Sequence, residues 1–192
     1  TEVTIVEFMP NVVPVEDEDI SKQMERSLKK AGIKIMTNSS VERIDTTGSG
    51  VKAFVKTAKG EEVLEADILL SAVGIKTNIE NIGLEEVGIA TDKDKILVNA
   101  YNQTNIPGYY AIGDVTPGQA LAHVASAEGI NCVEKIAGLH VEPIDYGNVP
   151  GCTYATPEIA SVGLTEKQAK EKGYELKIGK FPFSASGKAK AA

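Results

Sequence analysis

The run Tyr110-Ala111-Ile112-Gly113-Asp114-Val115 constrains this chain most, because it reads as a short buried strand that ends in Gly-Asp. After a Thr116-Pro117-Gly118 turn, the stretch from Gln119 to Ile136 has helical composition. A strand that feeds a helix in this way places one carboxylate at the carboxyl edge of a sheet, where open α/β sheets take their ligands. Gly113 has no Cβ and admits a close backbone approach. Asp114 offers two acceptor oxygens to hydroxyl donors such as a sugar or ribityl diol. The first amides of the helix point unpaired toward whatever Asp114 holds. The plainer alternative is that Asp114 only caps that helix.

The opening Thr1-Glu2-Val3-Thr4-Ile5-Val6-Glu7 is β-branched and ends on an acid, as does the second strand of a dinucleotide-binding βαβ unit. A carboxylate there accepts hydrogen bonds from the adenosine ribose hydroxyls, and its charge disfavours a 2′-phosphate. Glu7 therefore points to NAD over NADP, the alternative being a solvated strand end. Pro10 to Pro14 read as a loop, and Asp19 as the cap of a helix from Ile20 to Ala31 that stops at Gly32. Ile20, Met24, Leu28 and Ala31 recur on one face. Lys34 to Thr37 reads as the next strand, Val51 to Thr57 and Glu61 to Glu65 as a hairpin around Lys59-Gly60, and Ile68 to Val73 as a return strand closed by Gly74. Further strands are expected over Ile96 to Val98, Tyr109 to Ile112, Cys152 to Ala155, Glu158 to Val162 and Tyr174 to Phe183. Thr165 with Gln168 forms a capping box for a helix that Gly173 ends.

Composition narrows the functional classes. A formal net charge of −7 with no offsetting basic face argues against a nucleic-acid or acidic-membrane partner. No apolar run is long enough to span a bilayer. The two cysteines give no disulfide framework, so they read as buried thiols in a reducing cytoplasm. His123 and His140 lie near no cysteine pair, which argues against a zinc site.

Five blocks, in order, resemble the flavoprotein pyridine nucleotide-disulfide oxidoreductases: Val3-Thr4-Ile5-Val6-Glu7, Leu69-Leu70-Ser71-Ala72-Val73-Gly74, Tyr110-Ala111-Ile112-Gly113-Asp114, Leu121-Ala122-His123, and Tyr154-Ala155-Thr156-Pro157-Glu158-Ile159-Ala160-Ser161-Val162-Gly163. The resemblance covers nearly the whole chain. It implies an α/β fold of partial dinucleotide-binding, Rossmann-like domains followed by the start of an α+β interface domain. The expected division is 1–77 for the C-terminal part of an NAD-binding domain, 78–147 for the returning segment of an FAD-binding domain, and 148–192 for the start of the interface domain. By resemblance, Glu7, Val41 and Gly74 lie against NAD. Asp114 holds the ribityl chain of FAD, and Ala120, Leu121, Ala122 and His123 sit beside its ring. After Gly74 the chain reads Ile75-Lys76-Thr77-Asn78 where the family has basic and proline residues, so the resemblance gives Lys76 no role.

The family's G-x-G-x-x-G loops and Cys-x-x-x-x-Cys pair are absent, and Cys132 and Cys152 stand twenty residues apart. The segment that supplies the family's acid/base histidine would lie beyond Ala192. The chain is therefore expected to be an internal fragment with no catalytic residue of its own. The parent activity implied by the resemblance is oxidation of protein-bound dihydrolipoamide by FAD and NAD+, in a homodimer served by the lipoyl domain of a 2-oxoacid dehydrogenase or glycine cleavage complex. Mercuric reductase, glutathione reductase and flavin-dependent transhydrogenases remain alternatives within the family, and a non-catalytic association module outside it. Leu121-Ala122-His123 together with Glu7 favour the first.

Overall fold

The computed structural model describes residues 1–191. In chain order the elements are β1 (Thr4–Val6), α1 (Glu18–Lys30), β2 (Lys34–Met36), β3 (Ser40–Thr47), β4 (Gly50–Thr57), β5 (Gly60–Ala66), α2 (Leu84–Val87), β6 (Thr91–Asp92), β7 (Lys95–Ile96), α3 (Ala122–Ile136), β8 (Gly151–Thr153), β9 (Ile159–Ser161), α4 (Glu166–Glu171) and α5 (Gly187–Ala191). They fall into two compact units. One contains residues 1–45, 52–64 and Cys152 onward, and the other residues 46–51 and 65–151.

The first unit is built on a parallel pair. β1 and β2 register Thr4 against Lys34, Ile5 against Ile35 and Val6 against Met36, with α1 as the crossover. Glu18 and Asp19 in the first turn of α1 and Lys29 and Lys30 in its last complement the helix dipole. Gly32, at φ +86°, ends the helix, and the Ile33 amide donates back to the Leu28 carbonyl at 3.1 Å. The helix starts earlier than the sequence indicates: Asp17, not Asp19, is at the N-cap, and Asp19 pairs with Lys180. Met24 packs with Val12 and Ile159, and Val13, Leu28, Ile35 and Ala155 surround them. Burying each of the three central side chains contributes about 1.5–3 kcal/mol.

Residues distant in sequence close this unit. The Asp17 carboxylate accepts the Glu166 amide at 2.7 Å, and the Ser161 hydroxyl donates to Glu16 at 3.2 Å. β8 pairs with β9, and α4 opens with the expected capping box, in which Thr165 accepts the Gln168 amide at 3.2 Å and Gln168 accepts the Thr165 amide at 3.0 Å. The sheet β3-β4-β5 contains the expected hairpin, and the Arg43 guanidinium lies 3.7 Å from the centre of the Phe54 ring.

In the second unit, α3 is the longest helix. Its buried side chains Val124, Glu128 and Cys132 recur every four residues along one face. Several expected strands do not form. Residues 68–74 join no sheet, and Ile68, Leu70 and Val73 are 84%, 86% and 96% exposed. Residues 109–112 contribute only a bridge between Gln103 and Tyr110, and residues 174–183 contain no strand. A strand exists only where a neighbour completes its hydrogen-bond ladder, and none of the described strands pairs with these segments.

Candidate functional site

The Gly113–Asp114 step is a turn rather than a strand end. Residues Gly113–Val115 form one 3₁₀ turn, entered from extended Ile112 at φ −135°, with Gly113 at φ +73°. A Cβ on Gly113 would sit 3.3 Å from the Ala125 Cβ of α3, so both the backbone angle and the space select glycine. Side chains hold the main chain here at several points. The Glu128 carboxylate accepts the Gly113 amide at 2.6 Å, the Thr116 hydroxyl donates to the Gly113 carbonyl at 2.8 Å, and the Lys95 ammonium donates to the Asp114 carbonyl at 2.5 Å.

The Asp114 carboxylate itself is exposed and pairs with no described residue. It does not cap α3: Leu121 holds that N-cap position at φ −133°, and no side chain caps the helix. The amides at the start of α3 are consequently open to an outside acceptor. Ala120, Ala122 and His123 are exposed at this helix start, with Leu121 half-buried among them. Gly129 lets the Ile112 side chain reach α3, with 3.3 Å between its notional Cβ and the Ile112 Cδ1.

Glu7 lies just past the C-terminal end of β1, in the other unit. Its amide donates to the Met36 carbonyl at 2.8 Å, and its carbonyl accepts the Ser39 amide at 3.0 Å. Glu7 therefore shares the carboxyl edge of the parallel pair with the segment that leads into β3, where Val41 is exposed. One oxygen of the Glu7 carboxylate accepts the Met9 amide at 2.8 Å, which fixes the side chain and leaves the second oxygen available. Gly74, in the unit that carries Asp114, has φ +117° and open space where a Cβ would stand.

Cys132 is buried as expected, and desolvation raises its pKa, whereas Cys152, expected to be buried as well, is exposed because the short strand β8 leaves it uncovered. Among the described residues no group of His, Cys, Asp and Glu could hold a metal ion, and no helix is long and apolar enough to cross a membrane. No sequence motif gives Glu128, Tyr146, Thr116 or Lys95 a role at this turn. An acid among Val124 and Cys132 on a buried helix face was the available signal for the first of them.

Known proteins are similar to this chain in sequence and fold. A family model described as pyridine nucleotide-disulphide oxidoreductase matches residues 1–129, and the dimerisation domain of that family matches 149–192. The chain is 48% identical over 190 residues to a dihydrolipoyl dehydrogenase of Rhizobium etli, covering 98% of this chain and 40% of that protein. It is 47% identical over 194 residues to the mitochondrial dihydrolipoyl dehydrogenase of Pisum sativum, covering 100% and 38%. The crystal structure of LpdA from Mycobacterium tuberculosis superposes with a TM-score of 0.89 at 28% identity, covering 100% of this chain and 41% of that one. The HOCl-induced flavoprotein disulfide reductase RclA of Escherichia coli gives 0.86 at 28% identity, covering 100% and 43%. The chain thus spans about two fifths of the length of the relatives it matches, and it belongs to the pyridine nucleotide-disulphide oxidoreductase family.

Proposed function

We propose that this chain is part of a dihydrolipoyl dehydrogenase, an enzyme that oxidises protein-bound dihydrolipoamide to lipoamide with FAD and NAD+. The observation that carries this reading is the Asp114 carboxylate. It is exposed and has no partner among the described residues, on a turn that other side chains fix, in the unit that also contains the uncapped start of α3. These residues fit a flavin, whose ribityl hydroxyls need an acceptor and whose ring carries negative charge when reduced. In this reading Asp114 accepts the hydroxyls. The open amides at Ala122 and His123 stabilise charge beside Ala120 and Leu121, and exposed His123 adds a further donor. In the first unit, Glu7 accepts the adenosine ribose hydroxyls of NAD through its second oxygen and Val41 lines the adenine edge; in the unit that carries Asp114, Gly74 leaves room for a nucleotide to approach its backbone. When bound, the flavin supplies two-electron transfer between a dithiol and NAD+.

The functional division we propose is 1–77 for NAD, 78–147 for FAD and 148–192 for the subunit interface. The intact enzyme is a homodimer that takes lipoyl domains as its substrate carriers, in a reducing compartment that suits two unpaired cysteines. The redox disulfide and the acid/base histidine come from parts of the enzyme outside these 192 residues.

Substitutions in the intact enzyme test the assignment. Asp114→Ala is expected to lose bound flavin and turnover together. Glu7→Ala keeps the flavin but raises the KM for NAD+ about tenfold, as expected when hydrogen bonds to a ligand are removed, and narrows the preference over NADP+. The 192-residue chain alone is expected to reduce no NAD+ with dihydrolipoamide. Undiminished flavin in Asp114→Ala would exclude the reading, and turnover by the chain alone would exclude the placement of the redox groups.

A further inference from the structure

Glu128 is 2% exposed and sits in the second turn of α3, between Val124 and Cys132 on the helix's buried face. A carboxylate in such a place is costly unless its oxygens are hydrogen-bonded, and here both are. One accepts the Gly113 amide at 2.6 Å and the other the Tyr146 hydroxyl at 2.7 Å. These partners lie fifteen and eighteen residues away on opposite sides in sequence, so one side chain ties the turn before α3 to the segment that returns after it. The Tyr146 ring also stands near the chain ahead of α3, since a Cβ built on Gly118 would lie 3.5 Å from it.

The pattern of bonds is selective. Glu128 takes the Gly113 amide, Thr116 the Gly113 carbonyl and Lys95 the Asp114 carbonyl, whereas the Asp114 carboxylate has no partner among the described residues. Main-chain groups on both sides of Asp114 are fixed, and the acid is left free. A site that holds a ligand through one carboxylate gains affinity when that group's backbone is ordered beforehand.

We propose that Glu128, steadied by Tyr146, is the positioning residue of the flavin-holding turn: it fixes the peptide that presents Asp114 and does not itself touch the flavin. This rests on the reading of Asp114 as the ribityl-holding group. The alternative is that Glu128 stabilises the fold without influencing the ligand.

The experiment uses the intact enzyme, stripped of flavin and titrated with FAD, with the flavin visible spectrum and the Tm of each apoenzyme as further readouts. Glu128→Ala should raise the Kd for FAD about 10–100-fold, the range expected when a buried donor loses a charged acceptor. Glu128→Gln, whose amide oxygen still accepts from Gly113, and Tyr146→Phe, which removes only the second hydrogen bond, should each raise it about threefold. A Tm that falls in Glu128→Ala while FAD affinity stays at the wild-type value identifies a merely structural role and overturns the proposal. If Glu128→Ala fails to fold, wild-type affinity in either milder variant overturns it. Asp114→Ala separates the two levels: unchanged FAD binding there removes the underlying reading, whereas its loss together with wild-type binding in the Glu128 variants removes only this inference.

Discussion

Tyr146 shows how one contact sets the behaviour of a residue. Partial desolvation of the hydroxyl and the neighbouring Glu128 carboxylate push its phenol up from the ordinary value near 10 to about 12, although the residue as a whole is 39% exposed. A raised folded-state pKa means that the neutral form is favoured in the native protein. The associated stability is complete below the unfolded value and is lost as pH rises from about 10 to about 12. An ultraviolet titration of the phenols should therefore show one tyrosine ionising last, and Tyr146→Phe should remove that step and flatten the alkaline loss of stability. Asp114 stands out as a candidate in the sequence because an apolar run, a glycine, the acid and a helix follow one another closely, although the expected strand end is a 3₁₀ turn. Glu128 does not, because its meaning depends on an amide fifteen residues away and a phenol eighteen residues away. Glu7 lies between these cases. Its place at a strand end is local information, but the bond from the Met9 amide that fixes its carboxylate appears only in three dimensions.

Elements defined by short-range chemistry are those that the sequence reading recovers. The capping box of α4 is an example, since Thr165 and Gln168 satisfy each other's backbone within one turn. Thr165→Ala should cost about 1 kcal/mol, or about 2–4 °C of Tm for a chain of this size, measured by thermal denaturation. Gln168→Ala should cost less, because the cap that serves the helix amide remains. The same locality explains α1, which ends at a glycine in the left-handed region, and the β4–β5 hairpin, which turns at Ala58-Lys59 just before Gly60 opens β5. The expected strands over 68–73 and 174–183 fail for the opposite reason. Their apolar, β-branched composition describes a pleated surface that some neighbour covers, and it does not say whether that neighbour lies within the chain. β3 was overlooked because Glu42, Arg43 and Asp45 break the apolar alternation, while the Arg43–Phe54 contact that accompanies the sheet is non-local.

At the scale of the molecule, Ile68, Leu70 and Val73 present an apolar edge to solvent. If the intact enzyme completes a parallel sheet over this segment, the amides of residues 68–73 should exchange with deuterium slowly there and rapidly in the 192-residue chain. Equal rates in the two would place the segment outside any sheet. A different consequence follows from the core that Val12, Met24 and Ile159 share. Its first two members and its third are separated by more than a hundred residues, and so are the partners in the bond from the Glu166 amide to Asp17. At roughly 5–20 residues per second of synthesis, β1 and α1 emerge from the ribosome many seconds before Ile159 exists. The nascent chain thus carries an unfinished apolar face while the intervening residues are made, and that face is open to chaperone capture during the interval.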